Sequence, residues 1–166
     1  MPSRQDEFER VALSYTRGLL RFARRLTGDS ATAEDLVQEA LLKAWRSFDQ
    51  FQPETNARAW LFRIVVNCWY GWARKTKLIV MPSPRTVESA LEAVEISQAL
   101  DQLPSEQRAV IVLAVVEGFT CREIAEILAV PIGTVMSRLS RARQAMREKL
   151  GACEIAATAG WGKGSR

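Results

Sequence analysis

The sequence has no histidine. Imidazole is the usual zinc ligand and the base of serine triads, so ordinary zinc sites and histidine-based nucleophilic catalysis are excluded. Cysteine is scarce: Cys68, Cys121 and Cys153 are odd in number, widely spaced and include no Cys-x-x-Cys pair. That excludes a secreted-type disulfide framework and points to a reducing compartment. Cys68 and Cys121 fall in predicted helices, where a buried inert thiol is the expected state. Long apolar runs are missing as well. Residues 109–116 fall far short of the roughly 20 residues a membrane span needs, and residues 60–72 are interrupted by Arg63 and Asn67. The opening MPSRQDEFER is charged from its fourth residue and has no apolar stretch, so no signal peptide is expected and the chain reads as cytoplasmic, with no membrane partner. No glycine-rich phosphate loop, nucleophile–base pair or metal-binding cluster occurs. The sequence therefore predicts no enzyme, no cofactor, no metal and no small-molecule substrate.

What is present is a helical chain with apolar residues to spare. Hydrophobic residues make up 48% of its 166 positions, enough for one medium core or two small ones. The net charge of +4 is modest, but its distribution is uneven. Residues 86–107 carry Glu88, Glu92, Glu95, Asp101 and Glu106 without a single base, and the helices on either side are basic.

Helical periodicity covers residues 5–26, 32–48, 57–75, 88–103 and 105–117, followed by a short helix from Thr120 and a longer one from Ile132; no period-two alternation supports a sheet. Residues 77–87, KLIVMPSPRTV, hold two prolines and end the periodicity. The predicted class is all-α: two small helical domains, 1–76 and 88–150, loosely joined by a flexible linker at 77–87, with a fraying tail at 151–166. The segment AVIVLAVV, residues 109–116, is apolar nearly all round and should form the centre of the second core.

The stretch TCREIAEILAVPIGTVMSRLSRARQAMREKL has the order of a helix-turn-helix. Thr120 and Glu123 form a capping box, so a helix starts there. Pro131 ends it, and Ala129 occupies the turn position that glycine fills most comfortably. An alanine held at positive φ there costs about 1 kcal/mol. In the following helix Val135, Leu139, Ala142, Met146 and Leu150 form one buried stripe. Thr134, Ser137, Arg138, Arg141 and Gln144 then face elsewhere, short polar side chains first and basic ones behind. That is the arrangement a helix needs to reach base edges and then phosphates.

The first domain has two further patterned helices. In AEDLVQEALLKAWRSF, Val37, Leu41, Trp45 and Phe48 give an apolar stripe expected to be buried. In ARAWLFRIVVNCWYGWARK, Leu61, Ile64, Val65, Cys68 and Trp72 form the expected core stripe. Beside it run Arg63, Asn67, Tyr70 and Arg74. Cations, a ring and an amide in that order suit single-stranded nucleic acid, and they equally suit a solvated face with one half-buried tyrosine. Trp69 and Tyr70 are expected to pack rather than to assist strand separation.

Taken together, AEDLVQEALLKAW, WLFRIVVN and LPSEQRAVIVLAVVEGFTCREIAEILAVPIGTVMSRLSRAR closely resemble the extracytoplasmic-function sigma factors, the two-domain class of bacterial RNA polymerase specificity subunits. The resemblance runs from about residue 7 to 150 in the right order and spacing, and GTVMSRLSRAR is most similar to the general-stress branch of alphaproteobacteria. It implies that residues 1–76 are sigma region 2 and 88–150 are sigma region 4. It further implies polymerase docking through Asp35, Gln38, Glu39 and Lys43, and capture of a flipped base of the minus-ten element by the loop at 47–56, with Gln50 and Phe51 closest. Asn67, flanked by Arg63 and Arg74, would read an adjoining base of the melted strand. Thr134, Met136, Ser137, Arg138 and Arg141 would face the duplex minus-thirty-five element, and the linker would thread toward the RNA exit path. Many members carry Arg or Lys where Met136 stands, so apolar contact with a thymine methyl would replace a polar contact there. The partners implied are core RNA polymerase, promoter DNA in duplex and melted form, and an anti-sigma factor. An autonomous helix-turn-helix regulator is the alternative, but it would need a dimerisation or sensing module where the docking motif stands.

Overall fold

The computed structural model describes residues 3–52, 55–76 and 91–151. The expected linker at 77–87, Pro53, Cys153 and the expected tail lie outside the described residues.

Every element among the described residues is helical. Helix α1, Arg4–Thr27, opens on a capping box in which Asp6 N–H donates to Ser3 Oγ and Ser3 N–H donates to the Asp6 carboxylate. It closes at Gly28, whose φ of 74° lies in the left-handed region glycine tolerates. Helix α2, Ser30–Ser47, follows at once because Asp29 accepts from Thr32 N–H at 2.8 Å. A single 3₁₀ turn, Phe48–Gln50, leads to α3, Ala57–Thr76. These three helices pack on one another around Leu19, Phe22, Leu26, Leu36, Val37, Leu61 and Val65.

Two expected stripes are rotated. On α2 the buried set is Ala33, Leu36, Val37, Ala40 and Ala44, while Leu41, Trp45 and Phe48 are only half-buried. The small alanines let α1 and α3 approach closely, and Trp45 and Phe48 instead close an edge cluster around Phe8, at 5.2 and 5.3 Å between ring centroids. On α3, Ile64 and Trp72 are half-buried, whereas Phe62, Val66 and Trp69 join Leu61, Val65 and Cys68 inside. The apolar band is wide because α3 is covered from two sides: by α1 and α2, and by the second unit.

That second unit contains α4, Leu91–Asp101, α5, Ser105–Ile111, α6, Cys121–Leu128, and α7, Ile132–Leu150. The apolar run expected at the heart of this unit is buried from Ala109 to Leu113. It does not stay α-helical to its end. From Val112 to Val116 the coil widens into a π turn, in which Glu117 N–H reaches back to the Val112 carbonyl at 3.2 Å. Val115 is turned outward, and Gly118 at φ 71° breaks the helix.

Two helical units are thus present, but they are not loosely joined. Their buried residues form one contiguous core, with α3 on α6, and α1 on α4 and on the π turn. The ring of Phe62 meets Phe119 at 5.1 Å, and Arg108 Nη1 donates across the seam to the Leu26 carbonyl at 2.7 Å.

Candidate nucleic-acid interface

The helix-turn-helix forms through local bonds that the sequence specifies. Thr120 Oγ1 accepts from Glu123 N–H at 3.3 Å, and the Glu123 carboxylate accepts from Thr120 N–H at 2.8 Å. These bonds from Thr120 hold the Glu123 carboxyl below its usual range, the backbone N–H contributing most. The helix ends at Ala129 with φ 54° and ψ 45°, so the alanine does adopt the left-handed conformation. Val130 N–H then closes the turn on the Ala125 carbonyl at 3.1 Å, and Pro131 starts α7 at a position where no donor is needed.

Val135, Leu139, Ala142 and Met146 seat α7 on α5 and α6. The expected DNA-facing residues lie away from that seat. Met136, Ser137 and Arg141 are exposed, Met136 at 58% of its surface, and Thr134 and Arg138 are half-buried. Ser137 Oγ donates back to the Thr134 backbone carbonyl at 3.1 Å, which orients the Ser137 side chain on the first turns of the helix. Met136 also borders an open groove of about 400 Å³ that continues over Leu139 to Arg143 and Arg147.

On α3, Arg63, Asn67 and Arg74 are exposed and share one face by their spacing. Tyr70 does not complete that face as a stacking surface. Its ring is half-buried 5.4 Å from Trp69, its hydroxyl is buried without a hydrogen-bond partner, and burial pushes the phenol up to about 12 despite the opposing positive charge of Arg138. Trp69 is buried outright, so both rings pack, as expected. In the loop before α3, Gln50 is exposed. Phe51 is half-buried, stacked on Phe48 at 5.8 Å and leaning on Trp60 at 4.8 Å, which pins the loop to the first turn of α3.

The expected polymerase-facing residues Asp35, Gln38 and Glu39 are all exposed on α2. Lys43 is tied down at both ends of its reach: Nζ pairs with Glu39 at 2.7 Å and donates to Cys68 Sγ at 3.5 Å. The bond to Glu39 raises the Lys43 ammonium above its usual range, while burial raises the Cys68 thiol. Leu42, one helical turn beyond Gln38 and Glu39, is 55% exposed and prolongs their stripe with an apolar end.

One residue of consequence escapes sequence reasoning. The Glu117 side chain is completely withdrawn from solvent, although no basic residue lies within four positions of it in sequence. Arg21 grips its carboxylate with two bonds of 3.1 and 3.0 Å, and Arg58 adds a third at 3.1 Å. A lone acid ending an apolar run and followed by glycine is the only local signal.

Comparison with known proteins gives this geometry a family. The profile of Sigma-70 region 2 matches residues 11–79, and that of Sigma-70, region 4 matches residues 93–146. The chain is 37% identical over 148 residues to the ECF RNA polymerase sigma factor EcfG of Rhodopseudomonas palustris, covering 83% of this chain and 82% of that one. It is 39% identical over 142 residues to the ECF RNA polymerase sigma factor SigL of Mycobacterium tuberculosis, covering 78% and 80%. Among solved structures, the sigma factor RpoE in complex with the anti-sigma factor NepR from Bartonella quintana is similar with a TM-score of 0.76 at 34% identity, over 87% of this chain and 96% of that one. CnrH in complex with the cytosolic domain of CnrY is similar with a TM-score of 0.71 at 28% identity, over 90% of each. Scores of that size across both units require the units to superpose together. The chain belongs to the extracytoplasmic-function family of RNA polymerase sigma factors.

Proposed function

We propose that this sigma factor reads a promoter in two physical states with two different units, leaving all chemistry to core polymerase. The observation that carries the reading is the pair of exposed faces on separate units of one chain: Arg63, Asn67 and Arg74 on α3, and Met136, Ser137 and Arg141 with Arg138 on α7. A duplex element is read by a helix that fills the major groove, whereas a melted element exposes whole base edges to a pocket or stacking surface. The α7 set therefore takes the minus-thirty-five duplex, with Met136 offering apolar contact to a thymine methyl. The α3 set takes the melted minus-ten strand, together with Gln50 and Phe51. Exposure of Asp35, Gln38 and Glu39 supports polymerase docking along α2, and Lys43 steadies that face through Glu39.

Likeness to EcfG and to RpoE, which is solved with an anti-sigma factor, supports a stress-response sigma factor controlled by such a partner in the cytoplasm. No helix among the described residues is long and apolar enough to cross a membrane. A run-off transcription assay with purified core polymerase tests the function: a transcript with a defined start is expected only when this protein is added, and its absence would refute the reading.

A further inference from the structure

The residues that grip Glu117 come from the opposite unit. Arg21 lies on α1 and Arg58 on the first turn of α3, whereas Glu117 ends the π turn just before the helix-turn-helix. Arg58 Nη2 also donates to the Glu117 carbonyl at 2.7 Å, and its guanidinium lies 4.1 Å from the centre of the Phe119 ring. Both arginines keep one side in water, at 55% and 33% side-chain exposure, while the carboxylate has none. A buried carboxylate held entirely by groups of another unit has its charge balanced only while the units stay together. We infer that Glu117, with Arg21 and Arg58, is a latch that holds the two sigma regions closed and keeps them from engaging a promoter together.

Closure matters because of length. Elements centred about 25 base pairs apart lie about 85 Å apart on B-form DNA at 3.4 Å per base pair. A packed chain of this size has a radius of gyration of about 15 Å, so the closed body cannot reach both. Arg138, expected to read bases, stands close enough to Tyr70 on α3 to act on its phenol. The seam also carries its own tension: Trp69 Nε1 and Tyr70 Oη are buried in it without hydrogen-bond partners. Apolar packing and the Arg108 bond to Leu26 also cross this seam, and releasing the Glu117 charge removes its most strongly bonded polar contact. The inhibitory consequence rests on the two-element reading above; the latch itself does not.

Small-angle X-ray scattering of the full chain reads the latch without polymerase or DNA. The wild type is expected near 15 Å, and Glu117→Gln, which removes the charge at nearly constant size, should move toward about 23 Å, the value for two 75-residue units about 40 Å apart. Arg21→Gln with Arg58→Gln should produce the same expansion, and adding Glu117→Gln to that pair should produce no more. Far-UV circular dichroism accompanies each sample, and the arginine pair is the arm to read if Glu117→Gln loses helix. A wild type that is already expanded, or variants that keep their helices and the wild-type radius, would overturn the latch. Run-off transcription by the wild type is a separate readout, so failure of the latch and failure of the sigma assignment cannot be confused.

Discussion

Arg58 Nη2 donates to both the backbone carbonyl and the carboxylate of Glu117, at 2.7 and 3.1 Å. One side chain at the start of α3 therefore fixes the direction in which the chain enters the helix-turn-helix. It also couples the helix that carries Asn67 to the unit that carries Arg138. The planar guanidinium makes these bonds while covering the Phe119 ring, a combination lysine cannot reproduce.

The left-handed alanine at the turn makes a simple stability prediction. Ala129→Gly should relieve about 1 kcal/mol of backbone strain, raising the thermal midpoint by about 2–4 °C for a chain of this size. Differential scanning calorimetry checks it. A lower midpoint would mean that the alanine methyl contributes packing that outweighs the strain.

Acid should weaken three helix starts together. The carboxyls of Asp6, Asp29 and Glu123 are each held below their ordinary values, chiefly by the Ser3 side chain, the Thr32 side chain and the Thr120 backbone N–H respectively. A folded value below the unfolded one gives stabilisation that is complete above the unfolded value and lost as pH falls through the folded one. The thermal midpoint should therefore be insensitive to these groups near neutrality and fall below about pH 4.5, where unfolded carboxyls begin to bind protons. Asp29→Asn keeps a capping acceptor but no titrating group. Its midpoint should drop less steeply with acid than the wild type's, and an identical slope would remove Asp29 from the account.

The helix-turn-helix was legible because its determinants are local. Thr120 with Glu123, Pro131, and the stripe from Val135 to Met146 all act within a turn or two of helix, where spacing specifies geometry. The exposed faces of α2 and α3 were legible for the same reason. What lay beyond reach was set by contacts distant in sequence. Glu117 reads as the end of an apolar helix until α1 and α3 bring Arg21 and Arg58 to it. Trp72 and Trp69 exchange places as core residues because the second unit covers α3 from a side that α3's own periodicity does not reveal. The π turn follows from neither composition nor period, and it places the one buried acid among the described residues.

Arg138→Ala should cost about 1–3 kcal/mol of discrimination if the guanidinium makes a bidentate contact to a base in the minus-thirty-five element. Competition binding of the holoenzyme to promoters that differ only in that element measures it. An equal loss on every sequence would reduce Arg138 to a phosphate contact and shift base reading to Ser137, Arg141 and Met136.

The division of labour between the two units is the central claim, and permanganate footprinting of thymines in the holoenzyme–promoter complex tests it most directly. With the wild type, thymines of the minus-ten element become reactive. With Asn67→Ala, upstream duplex protection should persist while thymine reactivity falls, because the melted strand has lost a contact that α7 does not supply. Loss of upstream protection together with melting in the Asn67→Ala complex would contradict the assignment of the two promoter states to two separate helices.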